Sequence, residues 1–308
     1  MENFAISTDQ LTRRFGALTA VDHLDLHVPQ GAVYGFLGPN GSGKTTTIRM
    51  LLGLIRPNAG SVKLFDQPLH EKRIDLLRRV GALVETPSIY LYLTGRENLE
   101  VTRRLIGAPR GRIEAVLRTV RLEAAANRLT KGYSLGMKQR LGLALSLLSE
   151  PALLILDEPT NGLDPAGIQE MRDLIRQMPE QHGITVFLSS HLLSEVEQIA
   201  SHIGIVHRGK LVFEGTLASL QAQRDEYLAL GVDQPEAAQR IINEAGWTIQ
   251  PGTNGLLHIA AVKREDAARI NGLLVGQGVS VYLLALQQPT LEQTFLDLTE
   301  MPAGERSL

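Results

Sequence analysis

The sequence contains no cysteine. That absence excludes disulfides and thiolate metal sites, and it fits a reducing compartment. An excess of one charge is also lacking: 31 Lys and Arg stand against 33 Asp and Glu, a formal net charge of −2. No bulk electrostatic argument then favours nucleic acid, and none is expected as a partner. No apolar run is long enough to span a bilayer, because the most apolar stretch, Leu141–Leu156, is broken by Ser149, Glu150 and Pro151. Met1–Gln10 lacks a basic start followed by an apolar stretch, so no signal peptide is expected. There is no internal repeat, low-complexity tract or long charge run. What remains is an ordinary globular composition, 44% hydrophobic and 21% charged, in a chain of 308 residues. That length suggests two domains, and the expectation is a soluble, cytoplasmic protein.

Alternating segments extend to about residue 215. Leu24–Val28, Ala32–Leu37, Ser61–Phe65 and Val80–Val84 read as strands. Thr94–Leu148 is helix-rich, with Arg112–Val120 and Met137–Leu148 the clearest pieces. Ala152–Leu156, Ile184–Leu188 and His202–Val206 are short apolar runs bounded by turn signals, as buried parallel strands are. Pro165–Met178 and Leu192–Ile199 read as the helices between them. The pattern predicts an α/β layer with a helical insertion.

The register changes after Gly215. Leu217–Gln223 reads as a linking helix. It is followed by a strand (Tyr227–Val232), a helix (Pro235–Ala245), two strands (Trp247–Gln250 and Leu256–Ala260), a helix (Arg264–Leu274) and a strand (Val279–Leu286). The order βαββαβ predicts a small ferredoxin-like α+β sandwich. Thr290–Leu298 reads as a last amphipathic helix. The expected division is 1–215, with the helical insertion at about 86–150, and 216–308.

Chemistry concentrates at two places. Gly38, Pro39, Asn40, Gly41, Ser42, Gly43, Lys44 and Thr45, followed by Thr46, form a complete phosphate-binding loop between the strand Ala32–Leu37 and a helix over Thr46–Leu54. At average residue usage the pattern arises by chance in roughly one chain of this length in a hundred. The glycines let backbone N–H groups converge on phosphate oxygens at a helix N-terminus. Lys44 can reach the β/γ-phosphates and Thr45 can ligate Mg²⁺, so the chain is expected to bind a nucleoside triphosphate. The second place is Leu153-Leu154-Ile155-Leu156-Asp157-Glu158, an apolar strand ending in two acids. Such a tip is where an α/β sheet presents ligand chemistry. Asp157 is expected to hold Mg²⁺ and Glu158 to orient and polarise the attacking water.

Tyr133-Ser134-Leu135-Gly136-Met137-Lys138-Gln139-Arg140 opens the helix Met137–Leu148. A Ser and a Gly there also suit a simple cap. Combined with the two motifs above, this stretch resembles the signature of the ATP-binding subunits of ABC transporters, Leu-Ser-Gly-Gly-Gln. It keeps the serine and second glycine, while Leu135 replaces the first glycine and Met137 the glutamine. The order of phosphate loop, helical insertion, signature and acidic strand tip agrees. The resemblance implies an ABC-type ATPase fold over about residues 1–215. It also implies that Ser134 and Gly136 contact ATP, that Asn161-Gly162-Leu163-Asp164 forms a dimer contact through Asp164, and that His191 is the switch histidine of catalysis. Phe15 matches the aromatic that stacks on adenine, although a core role suits a phenylalanine equally.

One position departs from the family. Where it has a glutamine near Mg²⁺ and the water, this chain has Glu85, in Val84-Glu85-Thr86-Pro87. That variant, and the extension over 216–308, are similar to subunits that export bacitracin and lantibiotic-type peptides. The resemblance further implies a homodimer, paired head to tail so that each signature closes over the partner's ATP. It implies a separate integral membrane permease docking near Ser88–Leu93, whose aromatics would otherwise be core, and a location on the inner face of the cell membrane. A soluble ABC-type ATPase acting on ribosomes or chromosomes is the first alternative, opposed by the single phosphate loop and the lack of a heptad array. A regulatory nucleotide-binding module is the second, opposed by the presence of Asp157, Glu158 and His191 together.

Overall fold

The structure is a computed structural model and describes residues 3–222, 226–252, 255–260 and 264–288. The chain divides into two compact units, Met1–Leu217 and Ala218–Leu308. The first begins with β1 (Phe4–Phe15), β2 (Leu18–Leu24), β3 (His27–Pro29), β4 (Val33–Leu37), α1 (Lys44–Leu51), β5 (Ala59–Leu64) and β6 (Gln67–Pro68). It continues through α2 (Arg73–Leu77), β7 (Val80–Leu83), α3 (Gly95–Ile106), α4 (Arg112–Thr119) and α5 (Leu135–Leu147). Its last stretch is β8 (Leu153–Asp157), α6 (Pro165–His182), β9 (Thr185–Ser190), α7 (Leu193–Val196), β10 (His202–His207) and β11 (Lys210–Thr216).

A six-stranded sheet in the order β11-β10-β4-β9-β8-β7 forms the centre of this unit. Every neighbouring pair is parallel except the β10–β11 hairpin at one edge. All residues of β4, β8 and β9 are buried, which is why these strands read as continuous apolar runs without alternation. Tyr34 and Phe36 of β4 and Phe187 of β9 are fully buried, and their rings lie 5.7 and 5.3 Å from Phe187. Burial pushes the Tyr34 phenol well above its usual pKa, and its hydroxyl donates to Glu214 Oε1 at 2.8 Å. Helices α3, α4 and α5 come between β7 and β8. Thr94 and Glu97 close a capping box at the start of α3, and Gly107 ends it in the left-handed region at φ +72°.

The N-terminal half also forms an antiparallel sheet, β2-β1-β5-β6, with β3 paired to β1. Here the sequence misleads. The expected strand Leu24–Val28 is two strands, broken at Asp25-Leu26, because the Asp25 carboxylate accepts from the Gln10 backbone and turns the chain. Leu24 then pairs with Leu11, and His27 pairs with Ser7 further along the same strand. The twelve-residue β1 carries no clean alternation since it kinks at Gln10 (φ +48°) and shifts register against both neighbours.

In the second unit α8 (Leu217–Ala222) is followed by β12 (Tyr227–Val232), α9 (Pro235–Glu244), β13 (Ile249–Pro251), β14 (Leu257–Ala260), α10 (Arg264–Gly276) and β15 (Val281–Gln287). The sheet order is β13-β14-β12-β15 with every pair antiparallel. Leu228, Leu230, Ile242, Ile259, Ile270 and Leu274 form its core. The helix expected at Thr290–Leu298 lies outside the described residues. Among the described residues no helix is long and apolar enough to cross a membrane.

Because Phe187 joins two strands of the central sheet, Phe187→Ala should cost about 3–5 kcal/mol of stability. A lowered denaturant midpoint followed by circular dichroism is the expected result, and an unchanged midpoint would show that this aromatic cluster does not hold the sheet.

Candidate active site

The carboxyl ends of β4, β8 and β9 bring the site together. After Leu37 the chain turns through Gly38–Gly43 into α1. Gly41 (φ +81°) and Gly43 (φ +108°) take left-handed conformations that side chains resist. A Cβ on Gly43 would lie 2.4 Å from the Ala20 carbonyl oxygen, and one on Gly38 2.3 Å from that of Val206. The loop is thus pinned between β2 and the end of β10. No side chain caps α1, so its first N–H groups stay open to an anion. The buried Ser42 Oγ has no hydrogen-bond partner among the described residues and is aimed into the same turn. Pro39 accepts from the Ser42 N–H at 3.1 Å, leaving Asn40 and Gly41 exposed at the tip. Thr46 is half-buried in the first turn of α1.

Lys44 is 5% exposed, and its ammonium donates to the carbonyls of Gly38 at 2.7 Å and Pro39 at 3.3 Å. Burial lowers its pKa, while the carboxylates of Glu158, 3.5 Å away, and Asp157 pull it back up. A cation is therefore held beneath the loop and aimed along it. Thr45 Oγ1 donates to Asp157 Oδ2 at 3.0 Å, joining the loop to the acidic strand tip. The other oxygen, Asp157 Oδ1, accepts from Ser189 Oγ at 2.6 Å, and that hydroxyl also accepts from the Glu158 N–H at 2.9 Å.

Glu158 has φ +48°, an uncommon conformation for a residue with a side chain. The Ser189 hydroxyl on its N–H and a turn bond from Asn161 N–H to its carbonyl hold it there. The twist brings its carboxylate between Lys44 and His191: Oε1 faces the ammonium, and Oε2 lies 2.9 Å from His191 Nδ1. Thr45, Lys44, Asp157, Glu158 and His191 thus form one connected cluster: a cation and a hydroxyl facing a phosphate cradle, a buried acid, and an acid–imidazole pair able to move a proton.

The remaining candidates stand apart from this cluster. Glu85 (φ +59°) is exposed, and its carboxylate pairs with Arg49 on α1, not with Thr45 or Asp157. Arg49 is one turn beyond Thr45 on the same helix. Phe15 is 47% exposed, which removes the core reading, and the Arg13 guanidinium sits 4.5 Å from its ring centre. Ser134 caps α5 by accepting from the Met137 N–H at 3.2 Å, while Gly136 follows in the first turn. Asp164 caps α6 by accepting from Gly167 N–H at 3.0 Å. Leu135 and Leu163 bring these two helix starts together, with Leu135 Cδ2 3.2 Å from a Cβ placed on Gly162. Ser189 and Arg49 were not legible as site residues. For Ser189 the available signal was a pair of hydroxyls ending an otherwise apolar strand, immediately before His191.

A family model described as ABC transporter matches residues 21–161. The chain is 43% identical over 298 residues to a bacitracin transport ATP-binding protein of Bacillus licheniformis, covering 95% of this chain and 96% of that one. It is 41% identical over 209 residues to a lantibiotic transport ATP-binding protein of Streptococcus pyogenes, covering 68% and 90%. A solved ATP-binding subunit of an ABC transporter superposes with a TM-score of 0.63 at 30% identity, over 71% of this chain and 92% of that one.

Lys44→Ala deletes the buried cation under the loop and should weaken ATP binding itself by roughly 10- to 100-fold, the range of a charge-assisted contact. Titration calorimetry with ATP is the check; unchanged affinity would mean that the loop is not the site.

Proposed function

From the premise that this chain belongs to the ABC transporter family, as an ATP-binding and ATP-hydrolysing subunit, we infer that it powers export of antibiotic peptides or related drugs through a separate membrane permease. The observation that carries the hydrolytic half of this reading is the cluster of Lys44, Asp157, Glu158 and His191 beneath one phosphate cradle. Lys44 and the first N–H groups of α1 bind the phosphates. Glu158 takes the proton of the attacking water, and His191, hydrogen-bonded to its other oxygen, orients the carboxylate and contacts the γ-phosphate. Thr45 and Asp157 offer hard oxygen donors side by side, which suits Mg²⁺. Bound there, the ion would neutralise phosphate charge. Glu85 joins that donor set only by leaving Arg49. Phe15 is exposed on the β1–β2 hairpin, whose Ala20 carbonyl lies against Gly43 of the loop, and this supports a stacking role toward adenine.

The reading extends to a homodimer. Ser134, Gly136 and Asp164 lie at two helix starts that touch through Leu135, Gly162 and Leu163, and Leu135 is 47% exposed. These features support a shared surface that closes head to tail on the partner's ATP, with the N-terminus of α5 directed at phosphate. The permease reading is supported by exposed Tyr90, Leu91 and Tyr92, whose loop Asn98 clamps by accepting from Tyr90 N–H at 2.8 Å and donating to its carbonyl at 3.1 Å. Next to it a groove of about 450 Å³ is lined by Leu52, Leu54, Val84, Pro87 and Leu145 among others. A subunit so placed works on the cytoplasmic face of the membrane. The antiparallel βαββαβ arrangement of the second unit supports a ferredoxin-like accessory domain. The bacitracin and lantibiotic relatives support the cargo class.

Glu158→Gln tests the chemistry. ATP binding should persist while turnover falls by roughly 10²-fold or more, and the variant should accumulate as an ATP-bound dimer in light scattering. Retained turnover would assign the base elsewhere. Copurification of an integral membrane protein with the full chain tests the transporter role, and its absence from membranes of the native cell would favour the uncoupled alternative.

Glu85→Gln tests coupling. The exposed pair with Arg49 is worth about 0.2–1 kcal/mol, so the fold survives its loss. ATPase of the isolated subunit should stay within about threefold, while resistance to a peptide antibiotic in cells carrying the transporter falls. If neither changes, Glu85 is an ordinary loop carboxylate.

A further inference from the structure

Behind the catalytic cluster lies a second buried polar group that the chemistry above does not use. Glu195, on the short α7, is 6% exposed. Its Oε2 accepts from Thr160 Oγ1 at 2.5 Å and from Ser190 Oγ at 3.4 Å, and no ion pair with a Lys, Arg or His accompanies them among the described residues. Thr160 and Ser190 are themselves 8% and 3% exposed. Burying a carboxylate without a cation is costly unless it is hydrogen-bonded. An apolar residue would fill the same space at less cost, so the acid demands a reason.

Its donors supply one. Thr160 is two residues past Glu158, in the turn that closes when the Asn161 N–H reaches the Glu158 carbonyl at 3.1 Å and the Leu163 N–H reaches that of Thr160 at 3.2 Å. Ser190 directly precedes His191, and its hydroxyl also accepts from the Leu192 N–H at 3.0 Å. One carboxylate therefore grips the loop after the catalytic acid and the strand end before the histidine. Glu158 and His191 meet at 2.9 Å, and each is anchored within two residues to the same oxygen of Glu195.

We propose that Glu195 is a positioning residue for hydrolysis: through Thr160 and Ser190 it fixes Glu158 and His191 relative to each other, and it transmits movement of the Asn161–Asp164 loop to the histidine. A single Ser190 proton cannot serve the Leu192 carbonyl at 3.2 Å and Glu195 at once, so the Thr160 hydroxyl is the firmer link. The loop that meets a partner subunit thereby gains a direct mechanical connection to the proton-moving pair. This proposal rests on the reading of Glu158 and His191 given above.

The test is steady-state ATPase of the purified full chain. Glu195→Ala and Thr160→Val should each lower kcat by roughly 10- to 100-fold, as for a displaced catalytic group, with KM for ATP within about twofold. Thr160→Ser, which keeps the hydroxyl, should restore kcat. In a His191→Ala background, Glu195→Ala should cause a smaller loss than in the otherwise unchanged chain, since part of its effect passes through the histidine. Unchanged kcat in Thr160→Val, a raised KM in place of a lowered kcat, or full additivity with His191→Ala would overturn the proposal. Should Glu195→Ala fail to fold, Thr160→Val decides alone, because it removes one hydroxyl and keeps the shape. If Glu158→Gln retains turnover, the reading of the site itself fails; if Glu158→Gln is inactive and Thr160→Val is not, only the role of Glu195 does.

Discussion

Burial of both faces of β4, β9 and β8 is the constraint from which the rest follows. Strands covered on both sides have room for polar groups only at their ends, and parallel pairing puts those ends on one edge. The phosphate loop, the acids and the histidine therefore share that edge because each terminates a strand that the core will not let become polar earlier. Asp157 at the end of β8 and Ser189 and Ser190 at the end of β9 bring oxygen into these strand ends, and Asp157 and Ser189 hydrogen-bond to each other. The same hydroxyl holds Glu158 in its unusual backbone conformation. Sheet packing and catalytic geometry thus meet in one side chain.

The electrostatics of the edge are balanced by contact. Lys44 gives up solvent for two carbonyls and a facing acid, and its lowered pKa records the cost of burial. Glu158 divides its two oxygens between that cation and His191. Asp157 divides its own between Thr45 and Ser189. Under the proposed reading, a triphosphate in the loop would compete for Lys44 and free Glu158 for water, which would couple binding to proton transfer. Behind it, Glu195 connects this pair to the loop beyond Glu158.

Further from the edge, interactions weaken and become exposed. The Arg49–Glu85 pair joins α1 to the segment leading to Tyr90, but both side chains are largely in solvent. Contacts of that kind break at little cost. The clamp of Asn98 on Tyr90, buried and doubly hydrogen-bonded, keeps the exposed aromatics presented as one unit.

Local chemistry made much of this molecule legible from its residues. The phosphate loop needs glycine at Gly38 and Gly43 because neighbouring carbonyls leave no room for a Cβ. The buried strands needed only their apolar runs, and β12 begins and ends where its sequence says, at Tyr227 and Val232. The N-terminal strands were not legible: β1 bends to serve two partners and its alternation is lost, and Asp25 splits an apparently continuous strand. Nor could spacing reveal that Glu85 lies against Arg49, that Ser189 bridges two acids, or that Glu195 is buried. These are decisions of tertiary structure, since a carboxylate or hydroxyl looks the same in a sequence whether water or another loop satisfies it. Only when the strand ends converge do partners from positions as distant as Thr45 and Asp157, or Thr160 and Glu195, come within bonding distance and acquire a role.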